Sequence, residues 1–316
     1  MHRRQVLVLL AGLLAGCNAQ DTATDTPTAT ATETATPTDT PTATATPGGP
    51  EREGNEAIAE VLRTLNNTVG LYGVGDSVSI LGTDASSTTF PNDRVQRLLV
   101  SAEEELETAR ERAVTRDQQR TVDRLSVAIR FLTLATRVQI ALGNTYFALS
   151  RARTALDQED GQRARDRLGQ MQTERSFVAT PLERIRTETD AASVSVVDRI
   201  PASDYEAKVA QFEAESGALG RIRPPAERLS RGVGTLRSAR ARQANNPEGA
   251  TETARQALQT IEEAEAGLQT VLDGLSEPAD SLVGITQELV DIAAAKAAAA
   301  REIAGETPTP APTETN

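Results

Sequence analysis

Apolar residues recur at steps of three and four through most of the chain, from about residue 53 to residue 304. This spacing is typical of amphipathic α-helices, because it places the apolar side chains on one face. The longest such pattern runs from Asp117 to Leu156, where extra apolar residues widen the stripe, so we expect this helix to be the hub of the core. The sequence therefore predicts an all-α domain at 53–304, an elongated antiparallel bundle of seven or eight helices.

Two capping boxes predict helix starts, at Thr180-Pro181-Leu182-Glu183 and at Ser203-Asp204-Tyr205-Glu206. In each box, a hydroxyl side chain and a glutamate three residues later satisfy two free backbone N–H groups. Pro224-Pro225 is expected to end the second of these helices, because proline lacks the N–H that a continuing helix needs.

The last two predicted helices have the regular spacing of a coiled coil. Apolar positions alternate steps of four and three on both sides of Ser276-Glu277-Pro278, which predicts a coiled-coil-like antiparallel hairpin at the C-terminal end of the bundle. Glu265 and Lys296 both occupy seam positions, at similar separations from this turn. We therefore state the hypothesis that they form an ion pair that fixes the register of the hairpin.

Residues 70–90 interrupt the helical pattern with glycines among serine, threonine and aspartate. Loops of this length without secondary structure are uncommon and are often functional. Leu71, Tyr72 and Phe90 are therefore predicted as partner contacts, because aromatic and apolar residues on an exposed loop frequently anchor interfaces. The alternative is that these side chains plug the end of the bundle.

The first seventeen residues have the features of an export signal. Arg3 and Arg4 form a twin-arginine pair, and the apolar stretch from Val6 to Ala15 is too short to span a bilayer, which needs about 20 residues. Leu14-Ala15-Gly16-Cys17 matches a lipobox. We therefore expect residues 1–16 to be removed and the thiol of Cys17 to carry a lipid, which anchors the protein to the membrane.

Low-complexity segments flank the predicted domain. Residues 17–52 are rich in threonine, alanine and proline, and residues 305–316 return to the same composition. Such segments bury too little apolar surface to offset the entropy of an ordered chain, so we expect both to be disordered. Residues 17–52 would act as a stalk, either O-glycosylated or bare. Asn66-Asn67-Thr68 matches an N-glycosylation sequon, which makes Asn66 a candidate acceptor.

Composition excludes several classes of function. The chain has 33 Lys and Arg against 45 Asp and Glu, a net charge of −12, which argues against nucleic acid as a partner. The only histidine is His2, within the predicted signal, and the only cysteine is Cys17. The remaining chain therefore lacks the side chains for thiol catalysis, histidine base catalysis or zinc binding. We expect no enzymatic activity, no cofactor and no metal site.

Lysine is almost absent, since Lys208 and Lys296 are the only two and every other cation is arginine. With the twin-arginine lipobox signal, the Thr/Pro-rich stalk and the excess of acidic residues, the chain resembles haloarchaeal secreted lipoproteins. The resemblance is confined to the signal, the stalk and the composition. It implies a location on the outer face of the cell membrane and a high-salt environment, where excess carboxylates repel one another weakly, and it carries over no active site.

We therefore expect a membrane-anchored extracellular lipoprotein that acts as a non-enzymatic interaction or scaffold module for a protein partner. The alternative is a small-molecule sensor or transport accessory protein with a ligand site between helices.

Overall fold

A computed structural model describes residues 48–73, 79–87 and 89–306 of the chain. Within these ranges the protein is all-α and contains no strand, which confirms the predicted fold class. The signal peptide, Cys17 and the residues after 306 lie outside the described ranges, so the predictions for them stay predictions. The helices are α1 (Gly49–Gly70), α2 (Asn92–Arg112), α3 (Arg116–Asp157), α4 (Gly161–Glu188), α5 (Ala191–Val194), α6 (Ala202–Arg242), α7 (Pro247–Asp273) and α8 (Val283–Ala304).

Successive long helices run antiparallel. In the α3–α4 pair, Arg130 contacts Glu188 while Asn144, further along α3, contacts Glu174, earlier in α4. The same reversal relates α4 to α6, α6 to α7 and α7 to α8, and α1 and α2 form a further hairpin that packs on α3.

The hub of the core is α3, as its widened apolar stripe predicts. Its buried residues include Phe131, Leu132, Ala135 and Val138, which point to more than one side of the helix. The helix begins with a capping box in which the Thr115 hydroxyl accepts from the backbone N–H of Gln118 and the Gln118 side chain accepts from that of Thr115. This box fixes the start of a helix of 42 residues.

The predicted breaks at proline are wrong. Pro181 lies inside α4, and Pro224 and Pro225 lie inside α6, both of which continue without interruption. A proline inside a helix removes one backbone hydrogen bond and costs about 3 kcal/mol. Here the flanking turns are buried, at Val178 and Ile185 in α4 and at Ile222 and Leu229 in α6, and this packing offsets the local cost.

The predicted domain boundaries differ by a few residues. The first helix begins at Gly49 with Pro50 in its first turn, so the domain starts earlier than residue 53. The last helix ends at Ala304, as predicted, where Gly305 adopts φ 72° and donates its N–H to the carbonyls of Arg301 and Glu302.

The C-terminal hairpin of α7 and α8 forms, but the predicted ion pair between Glu265 and Lys296 does not. The ammonium of Lys296 donates to Glu159 at 3.1 Å and to the carbonyl of Asp157 at 2.9 Å, at the turn between α3 and α4. Glu159 also pairs with Arg240. The heptad pattern predicts only the contact of α8 with α7. Because α8 also packs beside the end of α3, Lys296 donates to the acceptors of that turn and not to Glu265.

Candidate functional site

Of the three predicted partner contacts, Leu71, Tyr72 and Phe90, only Tyr72 lies in the core. Tyr72 is fully buried, and its hydroxyl is 2.7 Å from that of Thr136 on α3. The ring of Phe90 packs against the Tyr72 ring with centroids 4.9 Å apart, and Phe90 and Leu71 are half-buried against the core. Burial raises the pKa of the Tyr72 phenol well above its usual range. The structure thus corrects the prediction for Tyr72, which closes one end of the bundle.

The predicted glycosylation acceptor Asn66 lies within α1 and is half-buried. Its side-chain oxygen accepts from the backbone N–H of Arg199 at 3.3 Å, and its carbonyl accepts from the Arg199 guanidinium at 3.2 Å. The hydroxyl of Thr68, the third residue of the sequon, is buried and donates to the Thr64 carbonyl. This geometry disfavours attachment of a glycan to the folded domain.

A buried polar cluster, which the sequence analysis missed, lies beneath residues 79–87. We call it the Lys208 cluster; it comprises Lys208, Gln211 and Glu215 of α6 with Gln139 of α3. The Lys208 ammonium, which is fully buried, donates to the Thr83 carbonyl, to Gln211 at 3.0 Å and to Gln139 at 3.3 Å. It also lies 4.6 Å from the centre of the Phe212 ring.

The Lys208 cluster holds three consecutive residues of the covering segment by their main chain. Besides the Thr83 carbonyl, the side-chain amide of Gln139 donates to the Asp84 carbonyl at 2.6 Å. The carboxylate of Glu215 accepts from the Ala85 N–H at 3.1 Å and from the Ser281 hydroxyl at 2.9 Å. The cluster therefore fixes an irregular segment across α6, since each main-chain group that is withdrawn from water finds a partner.

Burial disfavours the charged forms of Lys208 and Glu215, so it lowers the pKa of the first and raises that of the second. Desolvation lowers the pKa of Lys208 to about 8, against the attraction of Glu215 and Asp84. Desolvation raises the pKa of Glu215 to about 7, against the Ala85 N–H, Lys208 and Ser281. Because both groups are fully buried, no surface substrate reaches them in this arrangement, and their role in it is to secure the 79–87 segment.

A groove runs along the exposed face of α3. Three adjoining cavities of about 580, 340 and 320 Å³ form it. The first two share Leu134, Arg137 and Arg184, and the second and third share Ile140 and Asn144, so the cavities are continuous. We call this feature the α3 groove.

Helices α2 and α4 form the two walls of the α3 groove. The α2 wall carries Glu103, Glu104 and Glu107. Past the start of α2, it is extended by four residues: Ala85, Ser87, Phe90 and Asn92. The α4 wall carries Phe177, Pro181 and Arg184. The sequence alone could not show this groove, because its walls and floor come from three helices.

Two of the five phenylalanines in the chain lie exposed in this groove. Phe177 is 61% exposed and Phe147 is 48% exposed, with the Arg151 guanidinium 4.1 Å from the centre of the Phe147 ring. Ile140 between them is half-buried. Exposed aromatic residues that line a concave surface are typical of a binding site.

The charges of the groove differ between its floor and its α2 wall. Arg137 projects from the floor and has no acidic partner among the described residues, and Glu103 and Glu104 on the wall likewise have no cationic partner there. The other groove arginines are compensated: Arg110 pairs with Glu107, and Arg130 and Arg184 pair with Glu188. Glu174 on the α4 wall also has no cationic partner there, so among the described residues the groove offers one free cation beside three free anions.

Other kinds of site are not evident in the described ranges. No group of three or more Asp, Glu, His or Cys residues there is placed to hold a metal ion. By length and composition, α3 is the one described helix that is able to cross a membrane, but 67% of its most apolar window is buried by the rest of the bundle, as in a core helix.

Comparison with known proteins gives no further guide to the site. No family model, no curated protein and no solved structure matches this chain.

Proposed function

We propose that this protein is a non-enzymatic interaction module that a lipid on Cys17 anchors to the outer face of the cell membrane. Residues 17–48 would then act as the spacer that holds the helical domain away from the lipid surface. The signal and lipobox residues support the location, and the excess of acidic residues supports a high-salt environment.

The α3 groove is the observation that carries the proposed function. Its two exposed phenylalanines lie on two different helices and line adjoining cavities. A packed core would enclose such side chains, and a surface without a binding role rarely groups them in a concavity. The groove is also long, since its α3 residues run from Ser126 to Phe147, which suits a polypeptide better than a compact small molecule. The alternative function, a small-molecule site between helices, stays a prediction.

The test is native co-purification of the full-length lipoprotein from its own membranes at high salt, with mass spectrometry of what accompanies it. We expect a protein in fixed ratio to the lipoprotein, retained when residues 17–48 are replaced by an unrelated flexible spacer of equal length. The control is a Cys17→Ala form, which we expect not to be anchored to the membrane. A protein that binds the domain should accompany this form as well, whereas a protein that is only co-extracted with lipid should not. Recovery of the lipoprotein alone would contradict the proposed function.

A further inference from the structure

We infer that the α3 groove receives one amphipathic helix of a partner protein, and that a carboxylate of that helix pairs with Arg137. This inference rests on the proposed function and specifies the class of partner. Three properties of the groove carry it: its length, the placement of its apolar side chains and the arrangement of its free charges.

The length and shape of the groove fit a helix. The residues of α3 that line it run from Ser126 to Phe147, and they recur at steps of three and four on one face. At about 1.5 Å per residue, this face is about 30 Å long, which corresponds to five or six helical turns. Since α2 and α4 already flank α3, the groove is the position that a further helix of the bundle would occupy.

The apolar side chains of the groove are spaced as anchors for such a helix. Leu134, Ile140 and Phe147 follow one another along the floor, and Phe177 and Pro181 stand on the α4 side. A helix that carries apolar residues at positions i, i+3 or i+4, and i+7 would bury its stripe against this row. Association would cover Phe147 and Phe177, the two most exposed phenylalanines.

The free charges set the orientation of the bound helix. Arg137 on the floor favours a carboxylate on the edge of the apolar stripe, and Glu103 and Glu104 on the α2 wall favour a basic residue on the side that faces α2. Glu174 on the α4 wall is a further free carboxylate and favours a basic residue beside it. An ion pair on the rim of an interface contributes modestly to affinity but discriminates between charge patterns, because the reversed pattern places like charges together.

The experiment uses two labelled helical peptides of 21 residues with the same apolar stripe, measured by fluorescence anisotropy on the detergent-solubilised full-length protein. One peptide has a central glutamate and lysines on the side that faces α2, and the second has these charges exchanged. We expect the first peptide to bind at least about threefold more tightly, the factor that a partly exposed ion pair contributes. We also expect Arg137→Glu to reverse the preference, whereas the matched control Arg237→Glu, on exposed α6 surface, leaves it unchanged.

The apolar anchors are tested on the same peptides. The double variant Phe147→Ser, Phe177→Ser should weaken binding by about tenfold or more, since buried aromatic anchors dominate such interfaces. Val283→Ser, which alters an exposed apolar residue of α8, should leave binding unchanged. Circular dichroism melting of each variant confirms that the bundle is folded, which we expect because all five substituted side chains of this experiment are exposed.

Three results would overturn the inference. The first is equal binding of both peptides, and the second is no binding of either. The third is light scattering that shows a dimer of this chain which the phenylalanine variant dissociates, because a second copy would then occupy the groove. If the native partner is nevertheless recovered by co-purification and lost from the phenylalanine variant, the proposed function stands and only the helical partner class is wrong.

Discussion

Lys208 and Glu215 lie two turns apart on the same face of α6, both are fully buried, and between them they hold the main chain of residues 83–85. Phe212 lies between them on the same face of α6. This face therefore carries a charged side chain on each side of its aromatic ring. A buried pair of this kind is a weak source of net stability, but the loss of one member leaves the other ion uncompensated. This relationship makes the 79–87 segment a constrained part of the fold.

Replacement of the buried lysine should be strongly destabilising. We expect Lys208→Met to lower the free energy of unfolding by about 3 kcal/mol, because it leaves the Thr83 carbonyl without its donor and removes the attraction of the ammonium for the buried Glu215 carboxylate. Denaturant unfolding measures the effect. Lys296→Met is the comparison, since the Lys296 side chain is partly exposed and Glu159 keeps Arg240 as a second cation, and it should cost less than Lys208→Met. Equal effects of the two substitutions would contradict the structure.

The pH dependence of stability should carry the signature of Glu215. Its pKa rises from 4.5 in the unfolded chain to about 7 in the folded one, so the unfolded state releases this proton first. Glu215 therefore contributes a loss of stability as pH rises from about 4.5 to 7. Lys208, whose pKa falls from 10.5 to about 8, contributes a gain as pH rises from about 8 to 10.5.

The variant Glu215→Gln isolates the first of these contributions. We expect the variant to become more stable relative to the wild type as the pH rises from 4.5 to 7. Above pH 7 the difference in the free energy of unfolding should stay constant. Denaturant unfolding at a series of pH values, with Glu213→Gln on exposed α6 surface as the control, provides the measurement. A difference that does not change with pH would show that Glu215 titrates normally.

Removal of a helix-interior proline should stabilise the bundle. Pro224 is exposed within the continuous helix α6, so Pro224→Ala restores a backbone N–H and removes no packing. We expect a gain of about 1–2 kcal/mol in the free energy of unfolding, less than the full cost of an interior proline because alanine also increases the freedom of the unfolded chain. Pro278→Ala, in the turn between α7 and α8, should show no such gain. A loss of stability in Pro224→Ala would indicate that α6 is broken at this point.

The Tyr72 hydroxyl should matter for folding and not for partner binding. Tyr72→Phe removes the hydrogen bond to Thr136 and should cost about 1 kcal/mol of stability. Phe90→Ala removes the ring that packs against Tyr72 and should lower the melting temperature further. Tyr72→Phe should retain the native partner in co-purification, whereas Phe90 also lines the third cavity of the α3 groove, so Phe90→Ala tests stability only. Loss of the partner from a folded Tyr72→Phe protein would show that Tyr72 contributes to partner binding.

The fold class follows from the sequence because the apolar spacing is regular in nearly every helix. The sequence wrongly predicts helix boundaries at Pro181 and Pro224. A proline in the sequence indicates the local cost of a lost backbone hydrogen bond, but it does not indicate the tertiary packing that offsets this cost. The Lys208 cluster had a signal: Lys208 and Glu215 stand at helical spacing with Phe212 and Leu219 on an apolar stripe. Their partners at residues 83–85 and Gln139 are distant in sequence, so the contacts themselves could not be predicted. The α3 groove had no signal in any single helix.

Native co-purification of the phenylalanine double variant, Phe147→Ser with Phe177→Ser, beside Val283→Ser and the wild type decides whether the α3 groove binds the partner. We expect the partner to accompany the wild type and Val283→Ser and to be lost from the double variant, while all three proteins are folded and anchored. Retention of the partner by the double variant would show that the α3 groove is not the binding surface.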